Sequence, residues 1–203
     1  MRRPVAILLL VLAVTAPASS SSAEPRWFPV PASAVYQTGD SWTDRGLTYR
    51  LYGVQSCLRG TSFTNAHGLK RDCGEASLAM LIALTRDLRP QCYAADMPQT
   101  STIFVFCIAQ PTVGAAAGSR IDLGTALIST GYAFASLQPD GKPVHPPYFV
   151  AELVAQRARA GLWAFADMPE PNAIILRALA AGRVAATSSE PAPPPSPSAA
   201  EPQ

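Results

Sequence analysis

Two residues ten positions apart have side chains whose chemistry could serve a reaction, Asp40 and Arg50. A carboxylate is a hard oxygen ligand that suits calcium, and a guanidinium holds a phosphate through its forked hydrogen-bonding edge. Each also has a purely structural explanation. Asp40 follows Gly39 and is a residue type that orders turns, whereas Arg50 could lie on a solvated strand face or pair with Glu75. Metal or phosphate chemistry and a structural role therefore both stay open.

The surrounding stretch predicts a β-hairpin that would position both side chains. Trp42 and Thr43 suit a strand, and Arg45-Gly46 suits a tight turn. Positions 47, 49 and 51 are then apolar or aromatic and alternate with 48, 50 and 52, which is the period of a half-buried strand. Farther along, strands are predicted over Gln91–Ala95 and Thr102–Ala109, and helices over Gly74–Leu88, Ile121–Thr130 and Tyr148–Ala160.

This hairpin resembles the opening of the thermonuclease (staphylococcal-nuclease-like) family. That family typically reads D-G-D-T, a turn, and then R-L-x-G-I-D-A-P-E, whereas this chain reads TGDS from Thr38 and RLYGVQSCL from Arg50. The resemblance covers roughly residues 35–163. Its later matching segments are Gly74-Glu75-Ala76, Asp122-Leu123, Leu127-Ile128, Gly131-Tyr132-Ala133, Tyr148, Glu152 and Ala158-Arg159-Ala160-Gly161-Leu162-Trp163.

The resemblance implies a fold and a reaction. The fold is α+β, a five-stranded oligonucleotide/oligosaccharide-binding (OB) β-barrel with about three helices. The family hydrolyses phosphodiesters with one calcium ion, which is held chiefly by carboxylates. A glutamate acts as base or positions the attacking water, and two arginines hold the phosphate and stabilise developing charge.

This chain departs from that pattern at most of the chemical positions. Asp40 and Arg50 match a calcium ligand and the first arginine of the family, but Leu58 stands at the catalytic glutamate and Thr102 at the second arginine. The two remaining aspartate positions are Thr38 and Gln55. No cofactor is therefore expected, and calcium only if the family site survives. Rescue by carboxylates or arginines from elsewhere, namely Asp44, Arg59, Glu75 and Asp96, stays open.

Other chemically interesting side chains have simpler interpretations. His67 and His145 adjoin no carboxylate or cysteine ligand pattern and are predicted to be solvated. Ser41 and Ser56 have no neighbouring base, which argues against a nucleophile. The three tryptophans are predicted to lie in the core rather than to form a base-stacking platform; they are Trp27, Trp42 and Trp163.

The ends of the chain predict an exported protein with one domain over residues 27–179. Residues 1–23 read as a signal peptide, because Arg2 and Arg3 precede a short apolar run. Residues 181–203 are rich in Pro, Ser and Ala and read as a disordered tail. Without Arg2 and Arg3, 14 of the 16 basic residues remain and balance the 14 acidic ones. A secreted or periplasmic protein with no membrane span after signal cleavage is predicted, without a basic footprint for nucleic acid.

The four cysteines favour disulfides over thiol chemistry, because they are even in number and export is predicted. Three pairings are possible, and we favour Cys57–Cys73 and Cys92–Cys107. The first would close the loop after the hairpin, and the second would join two strands that the thermonuclease family pairs as neighbours. A zinc site is the rival interpretation, but the spacing contains no C-x-x-C pair.

Three function hypotheses follow. The leading one is an exported thermonuclease-like pseudoenzyme with lost or weak phosphodiesterase activity that acts as a binding module. The second is an active secreted calcium-dependent nuclease of DNA or RNA with a rearranged site. The third is an accessory component of an envelope assembly. Candidate partners are single-stranded nucleic acid, another polyanion or an oligosaccharide, or an envelope protein.

Overall fold

The structure is a computed structural model that describes residues 25–97, 101–111 and 117–188, with side chains up to residue 182. The predicted signal peptide and the end of the predicted tail, 189–203, lie outside the described residues. The strands are β1 (Phe28–Pro29), β2 (Val35–Thr38), β3 (Ser41–Asp44), β4 (Leu47–Leu51), β5 (Val54–Ser56), β6 (Ser62–Thr64), β7 (Lys70–Asp72), β8 (Gln91–Ala94), β9 (Thr102–Ala109), β10 (Ile121–Asp122) and β11 (Ala133–Ala135). The helices are α1 (Cys73–Leu88), α2 (Leu123–Ser129), α3 (Pro146–Arg157), a short 3-10 turn (Gly161–Ala164) and α4 (Pro171–Ser188).

The main sheet has the strand order β1-β8-β9-β4-β3-β2, and β10 adds to β9. All neighbours are antiparallel except β4 and β9, which run parallel. The two edge strands, β1 and β2, belong to one short segment that turns at an Ala34 N–H to Pro31 carbonyl bond of 3.0 Å. Because the same segment serves both edges, the sheet curls into a half-barrel.

The concave face of this sheet holds the larger core. Trp42, Leu51, Val105 and Cys107 point inward from three neighbouring strands and are at most 2 % exposed. Leu81 of α1 packs in the same cluster. Alternate residues of the same strands therefore point to the outer, convex face.

Two aspartate side chains cap the N-termini of the first two helices. The Asp72 carboxylate accepts the Glu75 N–H at 2.9 Å to begin α1, and the Asp122 carboxylate accepts the Thr125 N–H at 2.7 Å to begin α2. Such caps satisfy amides that the helix itself leaves unpaired. α1 ends at Leu88, and Pro90 follows two residues later, as the sequence predicts.

Both predicted disulfides are present. Cys57–Cys73 ties the end of β5 to the start of α1, and Cys92–Cys107 joins the neighbouring strands β8 and β9. All described cysteines are paired in this way. Each bridge closes a loop of about 15 residues, which contributes about 3 kcal/mol to the free energy of unfolding.

The described part contains four α-helices, so the expectation of about three is wrong. The fourth, α4, begins inside the predicted domain and runs through Ser188, well into the segment predicted as a disordered tail. Alanine is frequent in α4 and is the best helix former. A search for hydrophobic periodicity does not detect a helix that depends on alanine in this way. Glu170 also caps the helix, because its carboxylate accepts the Asn172 N–H at 2.9 Å. None of the helices in the described ranges has the length and apolarity that crossing a membrane requires.

Candidate functional site

Strand register brings the hairpin residues to one spot on the outer face of the sheet. Ser41 of β3 lies opposite Arg50 of β4. A register shift between Tyr36 and Thr38 of β2 places Thr38 opposite Ser41, and their hydroxyl oxygens are 2.5 Å apart. Asp40 lies in the turn between these two strands. Three consecutive strands therefore supply one polar cluster.

The Asp40 carboxylate is buried, and the cluster uses both of its oxygens. Its Oδ2 accepts a hydrogen bond from Arg50 Nε at 2.9 Å and lies 2.8 Å from Nη2 in the same ion pair, and its Oδ1 accepts a hydrogen bond from the Thr38 hydroxyl. The Asp40 side chain is 2 % exposed, whereas that of Arg50 is 37 % exposed. The two-pronged contact gives the guanidinium a fixed orientation at the edge of solvent.

Gln55 completes the cluster from the middle of the next strand, β5. Its Oε1 accepts a hydrogen bond from Arg50 Nη2 at 3.0 Å, and its Nε2 donates to the Ser56 carbonyl at 2.8 Å. Both ends of the amide are thus occupied. The Arg50 guanidinium is the cation that lies between the oxygens of Asp40 and Gln55.

The structure brings four of the six family positions together, namely Thr38, Asp40, Arg50 and Gln55. Leu58 lies three residues past Gln55 and presents a half-buried hydrocarbon side chain, which can neither move a proton nor orient water. Thr102 of β9 pairs with Thr48, on the strand that carries Arg50. The residues at the matched positions therefore lie close together on the outer face, but few of them carry a group that could act as a base, a metal ligand or a phosphate-binding cation.

The suggested pairing of Arg50 with Glu75 is wrong. Glu75 instead forms an exposed ion pair with Arg59, Nη1 to Oε1 at 3.0 Å, while Arg50 pairs with Asp40. Glu75 belongs to the first turn of α1, whereas Asp40 directly precedes β3 beside Arg50. Register within the hairpin therefore decides the partner.

The residues of this cluster do not fit a calcium ion. Asp40 is the single carboxylate among the matching positions, and its two oxygens already bind a guanidinium and a hydroxyl. The charge of Arg50 would repel a calcium ion placed beside it. The groups at Thr38 and Gln55 carry no negative charge that could offset this repulsion. Within the part of the chain that the structure describes, no three His, Cys, Asp or Glu side chains converge as a metal site would require.

A row of aromatic rings lies beside the polar cluster, and the sequence interpretation missed it. Tyr52, Phe106, Tyr93 and Trp27 come from neighbouring strands or their ends, and their successive ring centroids are 5.0, 5.6 and 4.7 Å apart. Phe104 pairs in register with Arg50 and so links the row to the polar cluster. The sequence of β9 carries a signal that could have revealed the row. Both faces of that strand carry apolar residues, whereas a strand with one solvated face would alternate between apolar and polar residues.

His145 is not solvated as predicted. It precedes α3, is half-buried, and lies against three rings, with centroid distances of 4.4 Å to Tyr148, 5.5 Å to Phe106 and 6.3 Å to Tyr52. Trp42 is wholly buried as predicted, but Trp27 is 42 % exposed at the far end of the row. The aromatic row therefore has one end in contact with His145, where Tyr52 and Phe106 lie, and the other end open at Trp27.

A second buried ionisable group lies away from this face. The Glu152 carboxylate of α3 accepts the Ala135 N–H at 2.8 Å, while the Ala135 carbonyl accepts Asn172 Nδ2 of α4 at 2.9 Å. The two side chains thus satisfy the backbone of β11 and hold the start of α4. Burial raises the pKa of Glu152 to about 7; the Ala135 N–H opposes this shift and the charge of Glu170 adds to it.

We expect Glu152→Gln to stabilise the protein increasingly as the pH rises from 4.5 to 7. The folded-state pKa of Glu152 lies above its unfolded value, so the native state binds the extra proton in that window. The native protein therefore loses stability as the pH rises through the window, and the penalty is complete above it. Glutamine removes the titration and keeps an acceptor for the Ala135 amide. Thermal midpoints of the two proteins, measured from pH 4 to pH 8, should agree at the acid end and differ by several degrees at the alkaline end. Parallel curves would contradict this prediction.

Comparison with known proteins identifies no family for this chain. No protein-family model matches the chain, and a search of curated proteins finds no match.

Proposed function

We propose that this chain is an exported thermonuclease-like OB-fold protein that has lost phosphodiesterase activity or retains little, and that it binds a ligand through the outer face of its sheet. The observation that carries the proposal is the Arg50 guanidinium, which binds Asp40 and Gln55 at the place where the family would hold a metal. In this proposal the Arg50 guanidinium, a cation that belongs to the chain, takes the place of the metal ion that the family binds.

The topology supports the OB-fold part of the proposal. Strands β2, β3 and β4 form an antiparallel meander, α1 follows before β8, and β4 runs parallel to β9. The OB-fold is a partly open barrel of five strands, for which β2, β3, β4, β9 and β8 are the candidates, while the two-residue strands β1 and β10 bring the sheet to seven. The turn that connects β1 to β2 joins the two edges of the sheet and favours closure over an open sheet.

The chemistry at the matching positions supports lost or weak activity. Removing a general base lowers a rate by about 10²–10⁴-fold, and Leu58 offers none. Losing a group that stabilises charge in the transition state adds a further large factor, and Thr102 brings no charge where the family has its second arginine. The carboxylate that remains is held by Arg50.

Export is supported by the two disulfides, since such bridges are typical of proteins that fold in oxidising compartments. The apolar N-terminal run behind Arg2 and Arg3 adds to this argument. A secreted or periplasmic location is the one that both features favour.

The test is digestion of heat-denatured DNA and of RNA by the disulfide-intact protein in millimolar calcium. We expect no turnover above that of an Asp40→Asn variant, which keeps the size of the side chain and removes its charge. We also expect that calcium does not raise the thermal midpoint, because a ligand of the folded state must stabilise it by mass action.

Turnover that requires calcium and disappears in Asp40→Asn would overturn the proposal and favour an active nuclease. A calcium-dependent rise in the midpoint of the parent protein, absent in the variant, would show that a metal displaces Arg50 from Asp40. Either result would be informative without knowledge of the natural ligand.

A further inference from the structure

The aromatic row is not part of the core. Its members Tyr52, Phe106 and Tyr93 alternate with inward-pointing residues of the same strands, such as Cys92 and Cys107, and therefore lie on the outer face. They are half-buried, and Trp27 at the open end is 42 % exposed. Aromatic side chains that extend a surface rather than fill a core mark binding surfaces.

The rings form a continuous strip. Cross-strand register places Phe106 opposite Tyr93, and these two rings are nearly parallel, with an interplanar angle of 24°. Tyr52 lies on the other side of Phe106 at 5.0 Å with its ring tilted by 51°, and Trp27 lies beyond Tyr93 at 4.7 Å with its ring turned by 61°, so the ring planes change direction along the strip. A strip that crosses four strands suits an extended ligand with several repeating units rather than one small molecule.

The charge of this face argues against nucleic acid. Arg50 lies next to the strip, and Asp40 neutralises it through a hydrogen bond to Nε and an ion pair with Nη2. Beyond residue 3 the chain has 14 basic and 14 acidic residues, so no net positive charge offsets phosphates. Binding of single strands depends on such charge as well as on stacking.

Polar groups border the strip. Tyr52 and Tyr93 carry phenolic hydroxyls that can donate and accept, and the 37 % exposed Arg50 side chain lies beside Phe104. A mostly apolar surface with a few polar groups selects a ligand that has apolar faces and hydrogen-bonding edges. Sugar rings have both and carry no charge.

We propose that the aromatic strip formed by Tyr52, Phe106, Tyr93 and Trp27 binds a neutral oligosaccharide. The apolar faces of successive sugar rings lie on the aromatic rings, and sugar hydroxyls bond to the phenols and to Arg50. This inference rests on the proposed function, because it assigns a ligand class to the binding face of the inactive domain.

The experiment measures binding of cellohexaose and chitohexaose, two uncharged sugar hexamers, by ligand-observed NMR and calorimetry with the full disulfide-intact chain. At least one should bind. Tyr93→Leu and Trp27→Leu should each weaken that binding by about tenfold, the loss of one stacking contact. Phe165→Leu is the matched control, because this half-buried ring packs on Phe63 in a different cluster and its loss should leave the affinity unchanged. Thermal midpoints establish that each variant is folded.

Three outcomes would overturn the inference. These are no binding of either hexamer at millimolar concentration, equal weakening by Phe165→Leu, and binding of oligo(dT) in preference to both sugars with loss in Trp27→Leu. The last would assign single-stranded nucleic acid to the strip. The nuclease assay is independent of these results, so an inactive protein that binds no sugar refutes the ligand class alone, and an active one refutes the proposed function.

Discussion

Gly131→Ala is expected to lower the free energy of unfolding by about 3–5 kcal/mol, enough to reduce the thermal midpoint by roughly 10 °C or more. Gly131 follows α2 with φ +77°, a left-handed conformation that disfavours any residue with a Cβ. The added Cβ would overlap the Ala160 carbonyl oxygen and lie 2.6 Å from its carbon. That carbonyl belongs to the backbone and cannot rotate away as a side chain would.

Gly46→Ala is the matched control, since Gly46 has φ +78° and no atom within 4 Å of the added Cβ. It should show the backbone strain alone, about 1–2 kcal/mol. Urea unfolding of both variants measures the difference, which is the energy of the contact at Ala160. Equal losses would mean that the 3-10 turn after Ala160 moves aside at little cost.

Arg50→Met is expected to destabilise the fold by about 3–5 kcal/mol. Methionine fills similar space but leaves the Asp40 carboxylate, 2 % exposed, without its cation. Arg59→Met is the matched control, because it breaks the Arg59–Glu75 pair, whose side chains are about half exposed. Exposed pairs contribute at most about 1 kcal/mol. Unfolding free energies in urea measure both losses.

The double variant Asp40→Asn/Arg50→Met should recover part of the loss, because it removes the buried charge together with its partner. A double-mutant cycle on these two positions gives their coupling energy. If Arg50→Met and Arg59→Met had equal effects, water would be solvating Asp40, and the cluster would not hold its cation as tightly as the geometry indicates.

The hairpin could be predicted because its signals lie within one short stretch of sequence. The disulfides could be predicted because four cysteines allow few pairings. Arg45-Gly46 is a turn sequence, and the alternation after it has one reading, so β3 and β4 lie where expected. The cysteines allow three pairings, and the resemblance to the thermonuclease family, which pairs the strands that carry Cys92 and Cys107 here, favours one of them. Helices α1 and α2 carry their own caps at Asp72 and Asp122.

Other features depend on contacts between distant segments and could not be read from the sequence. Asn172 holds α4 by donating to the Ala135 carbonyl of β11, and Glu170 caps α4 by accepting the Ala173 N–H, while the helix has little periodicity of its own. The β6–β7 pairing forms inside a segment that was predicted as a loop, and Asp167 supports it by accepting the Thr64 N–H at 3.0 Å. The apolar residues on both faces of β9 indicate part of the aromatic row, but the whole row needs the register of β4, β8 and β9, which no single strand encodes.

The turn that joins β1 to β2 has a consequence for the order in which the protein can assemble. Phe28 pairs with Cys92, so the segment that carries β1 can pair only after a strand more than sixty residues further along the chain has been made. Until then β8 is an open edge, and open edges recruit strands from other chains. Pairings so far apart in sequence slow folding. The Cys92–Cys107 bridge fixes the other edge of β8, because it joins β8 to the neighbouring β9, and so gives the segment that carries β1 a preformed pair of strands on which to add.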